Sequence, residues 1–251
     1  MEILPTDILT MDSLAKVLCI QPHYDDNDIG AGGTIAWLHD LGKEIIYLTV
    51  TDDLIGITDI HISKEQASLT LKKEQAEAGA IIGVDQHFWL NLPDAGDYNY
   101  FGLRQQIIKF IRLLRPDFLL TCDPWLPYEA HRDHIQTGMA VCEASLLYNM
   151  LRLTTTSEVD QQYQPYQIQG LGLYFTHTPN SIIDISSTYE RKHRAIACYR
   201  SQLDKETIDH MLRWLNEEEQ KTATGKPHSR AEALKIVKPE QLHINTRTWQ
   251  K

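Results

Sequence analysis

Residues 17–40 read VLCIQPHYDDNDIGAGGTIAWLHD. The stretch opens on an apolar run of buried-strand character and passes through His23, Asp25 and Asp26. It ends in an apolar-periodic segment behind Gly30, Gly32 and Gly33. A strand leading through a polar turn into a helix is the repeating unit of a parallel sheet with helices packed on it. Two uses of such a turn compete, a nucleotide-binding glycine loop and a metal site. A dinucleotide turn needs G-x-G-x-x-G soon after the first strand. Here Ile35 stands at the third glycine position, and Asp25, Asp26 and Asp28 precede the glycines, where they would repel a pyrophosphate. No G-K-[ST] follows to suggest a P-loop, and the glycines read as serving a tight strand-to-helix turn.

The alternation begun by this stretch continues. Strand-like runs at 15–22, 44–52, 87–94 and 117–124 alternate with helical patterns at 32–42, 64–83, 103–116 and 134–153. A polar excursion at 154–170 interrupts the order. Strand-like segments then fall at 171–177 and 181–186, helical ones at 188–202 and 206–220, and the tail from 222 is polar. The pattern predicts an α/β fold: a Rossmann-like, mostly parallel sheet with helices on both faces and an elaborated C-terminal third. One domain over 1–251 is the simplest parse, with a core at about 15–202 and a C-terminal extension at 203–251.

With 42% hydrophobic and 23% charged residues, 251 residues supply an ordinary globular core. A formal charge of −10 argues against nucleic acid or an anionic membrane surface as the main partner. No run approaches the ~20 apolar residues of a membrane span, and the acidic start does not resemble a signal peptide. Cys19, Cys122, Cys142 and Cys198 are scattered without a C-x-x-C pair, so they read as buried structural residues of a protein kept in the reducing cytoplasm.

In open parallel sheets ligands bind beyond the carboxyl ends of the strands. Four polar clusters occupy that position: His23/Asp25/Asp26, Asp52/Asp53, Asp94, and the run DPWLPYEAHRDH at 123–134. Imidazole and carboxylate donors at the ends of separate strands suit zinc in a hydrolase, where the protein supplies three ligands and leaves one position open. Adjacent aspartates can divide the work, one on the metal and one as general base. Either cluster alone would read as capping or salt-bridged surface residues.

The paired stretches PHYDD…GAGGTIA and HRDH resemble the motifs of the PIG-L/LmbE-like zinc N-deacetylase family. YLTVTD, KKEQAEAGAIIGV, WLNLPD, RPDFLLTCDP and IDIS…K…A…YRSQ extend the likeness from about Lys16 to Gln202. DPWLPYEAHRDH and LYFTHTPNSIIDI resemble the N,N′-diacetylchitobiose deacetylase branch in particular. The resemblance implies His23, Asp26 and His134 as zinc ligands and Asp25 as the base. It implies His131 as oxyanion stabiliser or acid, with Asp133 hydrogen-bonded to it. It also implies Asp94 as a substrate contact and a homo-oligomer, a hexamer in that branch, in which His243 of "LHINT" would reach a neighbouring subunit's site. Trp125 and Tyr128, in the motif loop, are candidates to stack on a sugar. The expected reaction is zinc-dependent hydrolysis of the N-acetyl group of an N-acetylglucosamine-containing small molecule, N,N′-diacetylchitobiose first, releasing acetate and an amine. Another glycoconjugate, a natural-product amide, or a non-catalytic sugar- or metal-binding role are the alternatives.

Several positions depart from the family pattern. Tyr24 and Arg132 stand where prolines are common, and Asn27 where a glutamate is common. Leu71 stands where the family often has a substrate-binding arginine; Lys72 beside it supplies a charge but not a guanidinium fork. His39, His61, His87, His193, His210 and His228 read as surface or helix-face residues, and Trp89 and Trp214 as core.

Overall fold

The computed structural model describes residues 13–244. Five strands run parallel: β1 (Lys16–Gln21), β2 (Glu44–Thr51), β3 (Gln86–Leu92), β4 (Phe118–Cys122) and β5 (Gly170–Tyr174). With β6 (Ser181–Asp184) and β7 (Ala231–Val237) they form a seven-stranded sheet in the order β3-β2-β1-β4-β5-β7-β6, β7 being antiparallel to both neighbours. Helices α1 (Asp26–Asp40), α2 (Lys64–Ile82) and α6 (Tyr189–Ile196) cover one face, and α3 (Tyr100–Leu114) and α4 (Arg132–Leu147) the other. β1, β2 and β4 are buried along almost their whole length. Coverage on both faces is why they read as continuous apolar runs rather than as alternating ones.

From β1 the chain steps outward to β2 and β3, then returns to lay β4 on the other side of β1. The loops after β1 and β4 therefore diverge at a topological switch point, where a sheet of this kind opens a crevice.

Three expectations change. First, α1 begins at Asp26, ahead of the glycines, and is kinked at Ala31 (φ −149°, ψ 18°). Gly30, Gly32 and Gly33 lie inside it with no positive φ, so they do not serve a tight turn. They admit neighbours instead: a Cβ on Gly30 would lie 2.3 Å from the buried Tyr174 ring, and one on Gly33 2.8 Å from Ile185. The kink frees the N–H groups of Gly33 and Thr34, which donate to the Glu232 carboxylate at 3.0 and 2.7 Å. Lys192 neutralises that carboxylate at 2.8 Å and Glu219 at 3.0 Å, all three side chains being buried.

Second, the tail from 222, which reads as polar, holds a strand of the sheet. After α7 (Lys205–Thr222) it supplies β7, which inserts between β5 and β6. Glu232 and Lys235, both buried, break the apolar pattern that would have marked the strand. The excursion at 154–170 holds one short helix, α5 (Ser157–Gln162).

Third, Trp214 is half exposed rather than core. His87 is drawn inward, stacked on Trp89, with burial pushing its pKa down to about 4. Trp89 packs against the core as expected. All four cysteines are buried and free. Among the described residues no helix is long and apolar enough to cross a membrane.

Gly30→Ala should lower the melting temperature. Alanine gains about 1 kcal/mol of helix propensity over glycine, but overpacking a buried ring costs about 1–3 kcal/mol. A thermal melt decides between the two, and an unchanged or higher midpoint would mean that Tyr174 gives way freely.

Candidate metal centre and active site

The turn from β1 into α1 is held from beneath. The Tyr24 carbonyl accepts from Gln21 Nε2 (3.2 Å), Gln75 Nε2 (3.0 Å) and the Tyr199 hydroxyl (2.8 Å). The Tyr24 ring, where proline is common, is fully buried in the core. Asp28 turns away from the cleft and accepts from Tyr47 at 2.7 Å and from Tyr199; burial pushes its pKa up to about 6.

Two further aspartates tie the neighbouring loops to this turn. Asp53 Oδ2 accepts from the Tyr24 N–H at 3.1 Å, and Asp52 Oδ1 from the Asp94 N–H at 3.1 Å. The ends of β1, β2 and β3 are thus linked to one another through backbone amides. Burial pushes Asp53 up to about 6.

His23 lies at the centre. Its Nδ1 is 3.2 Å from Asp26 Oδ2, the oxygen that also accepts its own backbone N–H at 2.8 Å. Its Nε2 lies 3.3 Å from Asp94 Oδ1 and 3.5 Å from Asp133 Oδ2. The other Asp26 oxygen is 3.2 Å from His134 Nε2. His131 packs edge-on against His23 with ring centroids 4.6 Å apart. Asp26, Asp133 and His134 sit in the first turns of α1 and α4, and His131 at the N-terminal boundary of α4. Helix N-termini favour the carboxylates among them.

The electrostatics follow from this crowding. Burial opposes a charge on His23, yet Asp133, Asp26 and Asp94 outweigh it and hold the imidazole well above its ordinary pKa. Burial likewise opposes ionisation of Asp26, but His134 and His23 hold it well below the usual carboxylate range. His134 is raised, Asp26 overcoming its burial. His131 is lowered by burial and by the two neighbouring imidazoles. Half-buried Asp25, at the N-terminal boundary of α1, is raised well above the usual carboxylate value by burial, Asp26 and Asp53.

Imidazole nitrogens and carboxylate oxygens are a donor set that zinc accepts. His23 Nε2 is buried without a hydrogen-bond partner. The ligand atoms of His23, His131 and His134 lie within 4.8 Å of one another. The residues fit a metal ion.

The structure brings His23, Asp26, Asp94, His131, Asp133 and His134 together. It does not form the expected Asp133–His131 hydrogen bond. Asp133 instead accepts from the Ala95 N–H (2.7 Å) and the Tyr98 hydroxyl (2.9 Å), because the β3 loop closes over it. Trp125 and Tyr128 stand exposed on the loop before α4. Leu71 is fully buried and faces the core, and Lys72 Nζ lies 5.4 Å from the Trp89 ring centroid.

His243 is exposed and follows a 3-10 turn, Pro239–Leu242, that packs on α4. Pro239 and Glu240 share a hollow with Ser145, Tyr148 and Asn149. That end of α4 is about 16 Å of helix rise from His134, so His243 is remote from this chain's own site. Asn245 and Thr246 of its motif lie outside the described residues.

Sequence reasoning missed Tyr98 and Glu129. Glu129 Oε2 lies 3.7 Å from His134 Nδ1, and its Oε1 accepts from the His131 N–H at 2.7 Å. The signal for Glu129 was its place inside DPWLPYEAHRDH; Tyr98 carried none.

Residues 18–145 match the PIG-L family, described as GlcNAc-PI de-N-acetylase. The chain belongs to the PIG-L family, and the expected amide-hydrolysing deacetylase stands with that membership. It is 35% identical to the diacetylchitobiose deacetylase of Thermococcus kodakarensis over 233 residues, 93% of this chain and 87% of that protein. The solved N,N′-diacetylchitobiose deacetylase of Pyrococcus horikoshii superposes with a TM-score of 0.88 at 33% identity, covering 98% of this chain and 92% of that one. The Thermus thermophilus protein TT1542 shares the fold, with a TM-score of 0.73 at 22% identity over 89% of this chain and 94% of its own.

Metal binding must displace the proton that the surrounding carboxylates hold on His23. Affinity should therefore rise with pH across the neutral range, with protons released on binding. Calorimetric zinc titrations in buffers of different ionisation enthalpy check this; heats independent of the buffer would contradict it.

Proposed function

We propose that this chain is a zinc-dependent N-deacetylase that hydrolyses an acetamide of N,N′-diacetylchitobiose or a closely related N-acetylglucosamine compound, releasing acetate and a primary amine. The observation that carries the reading is the gathering of His23, Asp26 and His134, with Asp25 beside them, at the switch point of the sheet. The 35% identity to a diacetylchitobiose deacetylase supports the substrate class.

His23, Asp26 and His134 would hold the ion. Zinc there supplies a water of lowered pKa and polarisation of the acetamide carbonyl. Asp25 accepts the proton of the attacking water, its basicity raised by burial and by Asp26 and Asp53. His131, held neutral by burial and by its imidazole neighbours, donates a ring N–H to the oxygen on which charge develops. The proton carried by Asp25 then serves the departing amine. Asp94, its backbone anchored by Asp52, orients the sugar, and Trp125 and Tyr128 offer it apolar faces. Asp133 lies 3.5 Å from His23 Nε2 and bears on that imidazole, and its charge acts on His131 as well.

The chain is read as one domain and as a homo-oligomer, a hexamer on the resemblance to the chitobiose branch. The remoteness of His243 from its own site supports a role in a neighbouring subunit, with the C-terminal segment at the interface. Four free cysteines support a cytoplasmic location.

Zinc-loaded protein should release primary amine from N,N′-diacetylchitobiose. Asp25→Ala should lose about 10²–10⁴-fold in rate while still retaining one zinc per chain. Full turnover in that variant would remove Asp25 from the mechanism. Absence of release from zinc-loaded wild type would turn the reading toward another amide or a binding role.

A further inference from the structure

Two glutamine amides straddle the Tyr24 carbonyl, outside the set of residues that the proposed reaction uses. Gln75 Nε2 donates to that carbonyl at 3.0 Å and to Thr49 Oγ1 at 2.8 Å. Gln21 Nε2 donates to the same two oxygens at 3.2 and 3.1 Å. Gln21, Tyr24, Thr49 and Gln75 are all fully buried. A carboxamide has an oxygen and a nitrogen end of nearly the same shape, so its orientation must be fixed by a partner. For Gln21 the partner is backbone, the Asn27 N–H donating to Oε1 at 2.7 Å. For Gln75 it is a side chain, the Trp89 indole N–H donating to Oε1 at 2.7 Å. An indole nitrogen can only donate, so it takes the amide oxygen and leaves the amide nitrogen facing Tyr24.

We infer that Gln75, aimed by Trp89, is a positioning residue for Asp25: it holds the Tyr24–Asp25 peptide in the orientation that presents the Asp25 carboxylate to the attacking water. The inference rests on the proposed function for the role of Asp25 alone.

Peptide geometry makes the link. In a trans peptide the carbonyl and the next N–H point to opposite sides. With the Tyr24 carbonyl drawn toward α2, the Asp25 N–H points away from α2, and it donates to the Asp25 carboxylate. Turning the carbonyl over would carry that N–H with it and release the carboxylate. The indole is itself held in place. His87 stacks on it with ring centroids 5.8 Å apart and planes 9° from parallel, and Lys72 Nζ lies 5.4 Å from its centroid. A line of contacts thus runs from β3 through α2 to the peptide that precedes Asp25. Misplacement of a reacting group from such a distance costs rate without removing any group that touches substrate.

Three variants of the full-length, zinc-loaded protein test this, with circular dichroism and zinc content showing that each folds and keeps its ion. Gln75→Leu removes the donor and should lose about 10- to 10²-fold in kcat for N,N′-diacetylchitobiose with KM unchanged. Trp89→Phe keeps a ring in the core but leaves Gln75 Oε1 buried without a donor, and should lose kcat in the same sense to a smaller extent. Gln75→Glu is the discriminating change. Its side chain faces the Tyr24 carbonyl, the Thr49 hydroxyl, the Gln21 amide and the Trp89 indole. While protonated it can donate to the carbonyl and accept from the indole, so its rate should approach that of wild type in acid and fall away as the carboxyl ionises. A pH profile of Gln75→Glu that parallels Gln75→Leu throughout, or wild-type kcat in Gln75→Leu, would overturn the inference. Hydrogen exchange reads the same clamp without substrate: it should quicken across the turn from Gln21 to Asp28 in Gln75→Leu and Trp89→Phe. Wild type that releases no amine would strike the proposed function instead, and unchanged exchange in both variants would then overturn the clamp on its own.

Discussion

Three hydrogen bonds converge on one backbone oxygen, the carbonyl of Tyr24. The residues that flank it are those to which the proposed reaction is assigned: His23 on one side, Asp25 and Asp26 on the other. Donors come from β1, from α2 and from the segment just after α6, so helices on the covered face set the position of a turn that opens toward the cleft. A buried carbonyl so fully satisfied is costly to displace. The whole arrangement around His23 presupposes that it stays where it is. Asp53 on the Tyr24 N–H completes the clamp from the β2 loop.

This clamp also explains how acid groups crowd together without driving the loops apart. Asp52, Asp53, Asp94 and Asp133 each accept from a backbone amide of a neighbouring loop. Their charges are spent partly on structure, and the imidazole of His23 takes much of the rest. The strongly opposed pKa directions of Asp25 and Asp26, adjacent in the chain, have the same origin. Asp26 faces two imidazoles, whereas Asp25 faces burial and other carboxylates.

The sheet and the site differed in how far the sequence revealed them. Long apolar strands bounded by polar turns, and helices closed by Gly83 or broken before Pro116, have local signatures, so the parallel half of the fold was legible. The gathering of His23, Asp94 and His134 followed from where strands end. β7 was not legible, because Glu232 and Lys235 occupy buried positions for reasons that lie elsewhere: Glu232 caps a kink in α1, some 200 residues earlier in the chain. The glycines of α1 were misjudged for a related reason. Their demand comes from Tyr174 and Ile185, partners remote in sequence, and not from their own backbone angles. Tyr98 and the true partners of Asp133 depend on a loop conformation that no periodicity encodes.

The insertion of β7 between β5 and β6 also sets an order of assembly. β6 leaves the ribosome well before β7, yet it has no place in the sheet until β7 arrives to pair with it and with β5. The same late strand brings Glu232, without which the freed amides of the α1 kink and the buried ammonium of Lys192 lack their acceptor. Contacts of such long sequence separation form late and slowly. The helix that begins at Asp26 is therefore completed only once β7 has been made, so a chain shortened before β7 would carry His23, Asp25, Asp26, His131 and His134 and still lack the acceptor that completes the kink of α1.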